Sequence, residues 1–122
     1  MGLPVLIVDD SAMARKMLAR ALPQDLDVEL SQAANGLEAL DAYHAGKAAL
    51  MFLDLTMPVM DGFGVLETLR REQLECFVVV VSADIQPIAQ QRVRDLGAIG
   101  FVQKPVTAEK LAPILREYGL LA

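Results

Sequence analysis

The chain has 122 residues, 54% of them hydrophobic and 22% charged, with a formal net charge of −5 and a single cysteine. That length and apolar content suit one folded domain with its own core and argue against disorder. The acidic balance lacks the basic stripe that nucleic acids require, Cys76 alone can close no internal disulfide, and no apolar run reaches the length of a membrane span. The expectation is a soluble, cytoplasmic protein with no direct nucleic-acid binding and no membrane association. The apolar start, too short for a signal peptide, runs straight into two aspartates.

Apolar runs of strand length alternate with helix-period segments, five times over. The first strand is expected over 4–8 and stops at Asp9-Asp10. A helix over 12–22 follows, with Ala14, Met17, Leu18 and Ala21 at helical spacing and Arg15, Lys16 and Arg20 elsewhere. The second strand, 27–33, alternates Val28, Leu30 and Gln32 with Glu29 and Ser31, the pattern of a sheet edge. The second helix, 36–45, sets Leu37, Ala39 and Leu40 beside Glu38 and Asp41.

The third strand, 49–53, is apolar throughout and is closed by Asp54. The third helix is expected to begin near Phe63 and to use Val65, Leu66 and Leu69. A fourth strand over 77–82 ends in Ser82. The helix after it opens at Pro87, which suits a first helical turn, and stops before Gly97. The fifth strand, 99–103, runs into Lys104-Pro105, and Thr107 is the expected N-cap of the last helix. Pro113 inside that helix loses a backbone hydrogen bond, so a bend or a tightened turn is expected there.

Strands alternating with helices through short loops predict an α/β fold: a doubly wound (βα)5 domain over 1–122, with a five-stranded parallel sheet and right-handed crossovers. In such sheets ligands bind beyond the carboxyl ends of the strands. Asp9, Asp10, Asp54, Ser82 and Lys104 each stand where an apolar strand stops. Taken singly, each has an ordinary explanation. Asp9-Asp10 can cap a helix, Asp54 can open a turn, Ser82 can end a strand, and Lys104 can be a solvated loop residue.

Together they describe one site. Three carboxylates on neighbouring strands suit Mg2+, which takes oxygen ligands and keeps room for a phosphate oxygen. An aspartate there can act as nucleophile in an acyl-phosphate chemistry, with a lysine nearby to neutralise developing charge. Pro105 sharpens the case for Lys104, because an X–Pro bond can be cis in a tight turn. Gly62-Phe63-Gly64 lacks the later glycine of a dinucleotide fingerprint and belongs to turn chemistry, and His44 has no partner at ligand spacing.

Leu6-Ile7-Val8-Asp9-Asp10, Asp54-Leu55-Thr56-Met57-Pro58-Val59-Met60-Asp61-Gly62, Ser82-Ala83 and Gly97 through Pro105 stand in an order and spacing that resembles the receiver domain of bacterial two-component response regulators, chemotaxis regulators included. The resemblance runs from Val5 into the last helix. It implies a flavodoxin-like sheet of strand order 2-1-3-4-5. It also implies that Asp54 accepts a phosphoryl group from a sensor histidine kinase or phosphotransfer protein. Asp9, Asp10, Asp54 and the backbone carbonyl of Thr56 would hold Mg2+. Lys104 and Ser82 would contact the phosphoryl oxygens, Pro105 would follow a cis bond, and Phe101 would be the aromatic that turns inward when Ser82 moves.

Such a domain is a signalling module that catalyses phosphoryl transfer onto itself and slow autodephosphorylation. The face made by the fourth helix, fifth strand and fifth helix would bind a downstream protein target, the domain being a monomer or a phosphorylation-dependent dimer. Ser82 stands where many members have Thr. Thr56 and Asp84 flank the site at positions that influence phosphoryl lifetime. The competing reading is a Mg2+-dependent aspartyl phosphohydrolase of the haloacid dehalogenase type, which needs a second Asp where Thr56 stands. A flavodoxin-like cofactor binder, which needs a phosphate-cradling loop rich in Ser, Thr or Gly after the first strand, is disfavoured because Asp9-Asp10 would repel a phosphate unless a cation intervened.

Overall fold

The computed structural model describes residues 2–73, 75–83 and 86–119. Five strands alternate with five helices: β1 Leu3–Val8, α1 Ala12–Ala21, β2 Val28–Ala33, α2 Gly36–His44, β3 Leu50–Asp54, α3 Gly62–Arg71, β4 Phe77–Ser82, α4 Pro87–Asp95, β5 Gly100–Gln103 and α5 Ala108–Glu117. All strand pairs are parallel and the sheet order is β2-β1-β3-β4-β5. β2 is the edge its alternation predicts. The central strands β1, β3 and β4 are buried on both faces, which is why they read as unbroken apolar runs.

Successive strand residues point to opposite faces, so each strand feeds two apolar layers. Leu6, Val8, Met51, Leu53, Val78 and Val80 pack on one side against α2, α3 and α4 through residues such as Leu40, Leu66 and Val93. Ile7, Phe52, Val79 and Val81 pack on the other against α1 and α5 through Leu18, Leu111 and Leu115. Each such side chain, when fully buried, stabilises the fold by roughly 1.5–3 kcal/mol.

α1, α2, α3 and α5 begin where a side chain caps them, whereas α4 opens at Pro87 without one. Ser11 Oγ accepts from Ala14 N at 3.2 Å, Asn35 Oδ1 from Glu38 N at 2.9 Å, and Thr107 Oγ1 from Lys110 N at 3.3 Å. α3 opens at Gly62, one residue before the expected start, because Asp61 Oδ1 accepts the Gly64 N–H at 2.9 Å. β3 extends one residue past its apolar run, so Asp54 is itself a strand residue. α5 runs unbroken from Ala108 to Glu117 with Pro113 inside it. A tightened bond does occur in that helix, but in its first turn, where Lys110 N also donates to the Thr107 carbonyl at 3.1 Å.

Register decides where the polar strand ends fall. Val8 lies beside Leu53, Asp54 beside Val81, and Ser82 beside Gln103. Asp9 follows Val8, Asp54 and Ser82 end their own strands, and Lys104 follows Gln103, so the four come together at one end of four adjacent strands.

Candidate functional site

Asp9 and Asp54 are each only 5% exposed and Ser82 2%, whereas Asp10 faces solvent. One carboxylate oxygen each from Asp9, Asp10 and Asp54 lies within 4.8 Å of the others. Lys104 reaches across from the end of β5. Its Nζ donates to Asp9 Oδ2 at 2.7 Å and lies 3.5 Å from Asp54 Oδ1. A charge buried without a partner is costly, and this one ammonium serves two carboxylates. Three carboxylates against one lysine leave the cluster net negative.

The titration behaviour follows. Burial and then the neighbouring Asp9 charge push the Asp54 carboxyl above its ordinary range, against the opposing pull of Lys104 and of a hydrogen bond from the Thr56 backbone. Burial alone would lower Lys104. The hydrogen bond to Asp9 and the charges of Asp54 and Asp9 outweigh it and hold the ammonium above its usual value. A cluster of hard oxygen donors with excess negative charge and a buried carboxylate is suited to a small divalent cation.

The backbone supports this geometry closely. Asp9 N donates to the Ala33 carbonyl at 3.1 Å, and Ser11 N donates to Asp9 Oδ1 at 2.9 Å. Lys104 N donates to the Ser82 carbonyl at 2.9 Å, which ties the last two strand ends together, and the Lys104–Pro105 bond is cis, as expected. Lys110 Nζ, from the first turn of α5, donates to the carbonyls of Gln103 and Pro105 at 3.0 and 2.9 Å. Gly62 packs against the strand that ends in Asp54. A Cβ there would come 2.4 Å from the Asp54 carbonyl oxygen, so the turn after β3 closes only with glycine at this point.

Asp9, Asp10, Asp54, Thr56, Ser82, Lys104 and Pro105 come to this end of the sheet, whereas Phe101 lies within β5 beside Val80. Asp84 lies outside the described residues. Phe101, on β5, is half-buried and packs against the layer that holds Val80 and Val93. His44 lies on the surface of α2, with Nε2 3.3 Å from Glu72 Oε1. Arg15, Gln32 and Lys110 were missed as parts of the site. Their basic and amide side chains read as solvated helix or edge-strand surface, and only the neighbouring strand positions reveal what they hold. Among the described residues no helix is long and apolar enough to cross a membrane.

With that geometry in place, the comparisons are specific. The model of the family described as response regulator receiver domain matches residues 5–116. The chemotaxis protein CheY of Bacillus subtilis is 30% identical over 107 residues, covering 88% of this chain and 89% of that protein. A solved chemotaxis protein CheY4 of Vibrio cholerae superposes with a TM-score of 0.84 at 30% identity, covering 96% of this chain and 98% of that one. The hybrid signal transduction histidine kinase E of Dictyostelium discoideum is 36% identical over 93% of this chain, but the match spans only 7% of that kinase. The chain thus corresponds to a small part of some relatives and to nearly all of others.

Proposed function

The chain belongs to the response regulator receiver domain family, and from that premise we propose that it is a phosphorylation switch, residues 1–122 forming one receiver unit, with Asp54 as acceptor. The observation that carries the reading is the buried Asp54 carboxylate, 3.5 Å from Lys104 and clustered with Asp9 and Asp10 at the strand ends. The donor is a phosphohistidine on a histidine kinase or phosphotransfer protein.

An Asp54 carboxylate oxygen attacks the phosphorus. The new O–P bond forms as the N–P bond breaks, and the imidazole nitrogen keeps the electron pair and takes up a proton. Mg2+, when bound, supplies neutralisation of the phosphoryl oxygens' charge. Asp9, Asp10, Asp54 and the Thr56 carbonyl are the groups that would hold it, the Asp9 oxygens also accepting from Ser11 and Lys104. Lys104 exchanges its Asp9 contact for the phosphoryl oxygens, and Ser82 donates its hydroxyl to them. The added group brings charge of roughly −1.5 to −2.

Those two residues sit at the ends of β4 and β5, so their new contacts bias the chain around Phe101 and the face of α4, β5 and α5, where a downstream target binds. Hydrolysis of a small phosphate ester by haloacid dehalogenase chemistry is disfavoured, because Thr56 offers no acid or base where that mechanism places its second Asp. The test is phosphoryl incorporation from a small acyl- or amido-phosphate, with and without Mg2+. The natural chain should give acid-stable, base-labile label only with Mg2+, and Asp54→Asn should give none. Equal labelling of the variant would move the acceptor elsewhere.

A further inference from the structure

The Asp10 carboxylate accepts no hydrogen bond among the described residues and faces solvent, yet it completes the acidic cluster. Repulsion from Asp9 and Asp54 should turn it outward into water. Its place is therefore set through the backbone, by the peptide that joins it to Asp9. The carbonyl of that peptide accepts from Arg15 Nη1 at 2.5 Å, and Arg15 Nε donates to Gln32 Oε1 on β2 at 2.8 Å. A guanidinium is planar, so donating from two of its nitrogens fixes both its position and its plane.

We propose that Arg15, braced by Gln32, is a positioning residue for the cation site: it holds the Asp9–Asp10 peptide so that Asp10 stays within reach of the Asp9 and Asp54 carboxylates. The inference rests on the cation-binding reading above and adds two residues to it. The remaining polar groups of Asp9 are engaged by Ala33, Ser11 and Lys104. The Arg15 contact is thus the one that sets the onward direction of the chain toward Asp10.

Two effects of Arg15 on a bound cation oppose each other, which makes the proposal testable by sign. As a like charge near the cluster, Arg15 weakens cation binding. As a brace for Asp10, it strengthens it. Arg15→Met removes both effects, whereas Gln32→Ala loosens the brace and keeps the charge. Arg15→Lys keeps the charge and one donor but loses the fork.

The full chain is titrated with magnesium chloride alone and followed by backbone amide NMR shifts, each variant first verified as folded by its amide dispersion and thermal melt. Arg15→Met is expected to raise the apparent Mg2+ dissociation constant about three- to tenfold, at or below the low end of the ~10–100-fold seen for outer partners of metal ligands. Gln32→Ala should change it in the same direction by a smaller factor, and Arg15→Lys should fall between natural and Met. Unchanged or tighter binding in Arg15→Met, or no change in Gln32→Ala, overturns the proposal while leaving the cation site standing. If the natural chain shows no saturable Mg2+ shifts, or Asp10→Asn binds as well as it does, the cation reading and the positioning role fall together.

Discussion

Asp54 sits where a nearly dry strand end and the field of Asp9 both disfavour its charge, and Lys104 compensates only in part. Its carboxyl pKa is raised in the folded protein, so the folded state binds that proton more readily than the unfolded chain. The associated stability is present below the ordinary carboxylate range and is lost as pH rises through Asp54's own, higher value. In Mg2+-free buffer at neutral pH, Asp54→Asn should therefore have a higher urea midpoint than the natural chain, and the gap should close on acidification below about pH 4. Added Mg2+ should raise the natural midpoint more than the variant's. Identical midpoints at neutral pH would show that the ionised carboxylate costs nothing where it sits. Lys104 acts at the other end of the scale: its raised pKa gives stability that is lost only as pH climbs past its value above 10.5. The acidic residues and Lys104 were legible in the sequence because each ends an apolar run. Val59 was not. Its φ of 69° and the 2.7 Å bond from Met60 N to the Pro58 carbonyl form a tight turn that Pro58 and Asp61-Gly62 advertise only in general terms.

Among the elements, the buried strands were readable to within a residue or two, since a strand covered on both faces must be apolar throughout. Boundaries shifted where a single hydrogen bond decided them, as at Asp61 before α3. Pro113 was read as a local conflict, yet α5 passes through it unbroken, its buried side carried by Leu111 and Leu115. Pro113 is exposed, so Pro113→Ala alters no packing and restores an N–H to the ladder. A gain of about 2–2.6 kcal/mol in urea unfolding is expected, since an interior proline costs ~3 kcal/mol and the freer unfolded chain returns ~0.4–1. No gain would mean that the helix has relaxed around the ring. On β5, Phe101→Ala should weaken phosphorylation-dependent binding of the target several-fold while Asp54 is still labelled at the natural rate. Unchanged affinity in a pull-down of the phosphorylated variant would remove the aromatic from the switch. The bond from Arg15 to Gln32 could not be read from its helix, because it depends on β2 lying beside β1.

Across the whole molecule, one sheet separates two apolar layers and gathers Asp9, Asp10, Asp54 and Lys104 along a single edge of strand ends. α1, carrying Arg15, covers one layer with α5, while α4 packs in the other. A phosphoryl group on Asp54, as proposed, would therefore lie against residues continuous with both. Fold class and strand order were legible from the alternation of elements together with the family resemblance. The braces around the site, Arg15, Gln32 and Lys110, were not, since each acts across a strand or turn boundary. The most direct measurement of the central claim is reductive trapping. The chain is phosphorylated in Mg2+, treated with borohydride to convert the acyl phosphate to the corresponding alcohol, and mapped by peptide mass spectrometry. Modification confined to Asp54 is the expected result. Modification at another carboxylate, or none in a folded chain whose amides report bound Mg2+, would contradict the assignment of Asp54 as the acceptor.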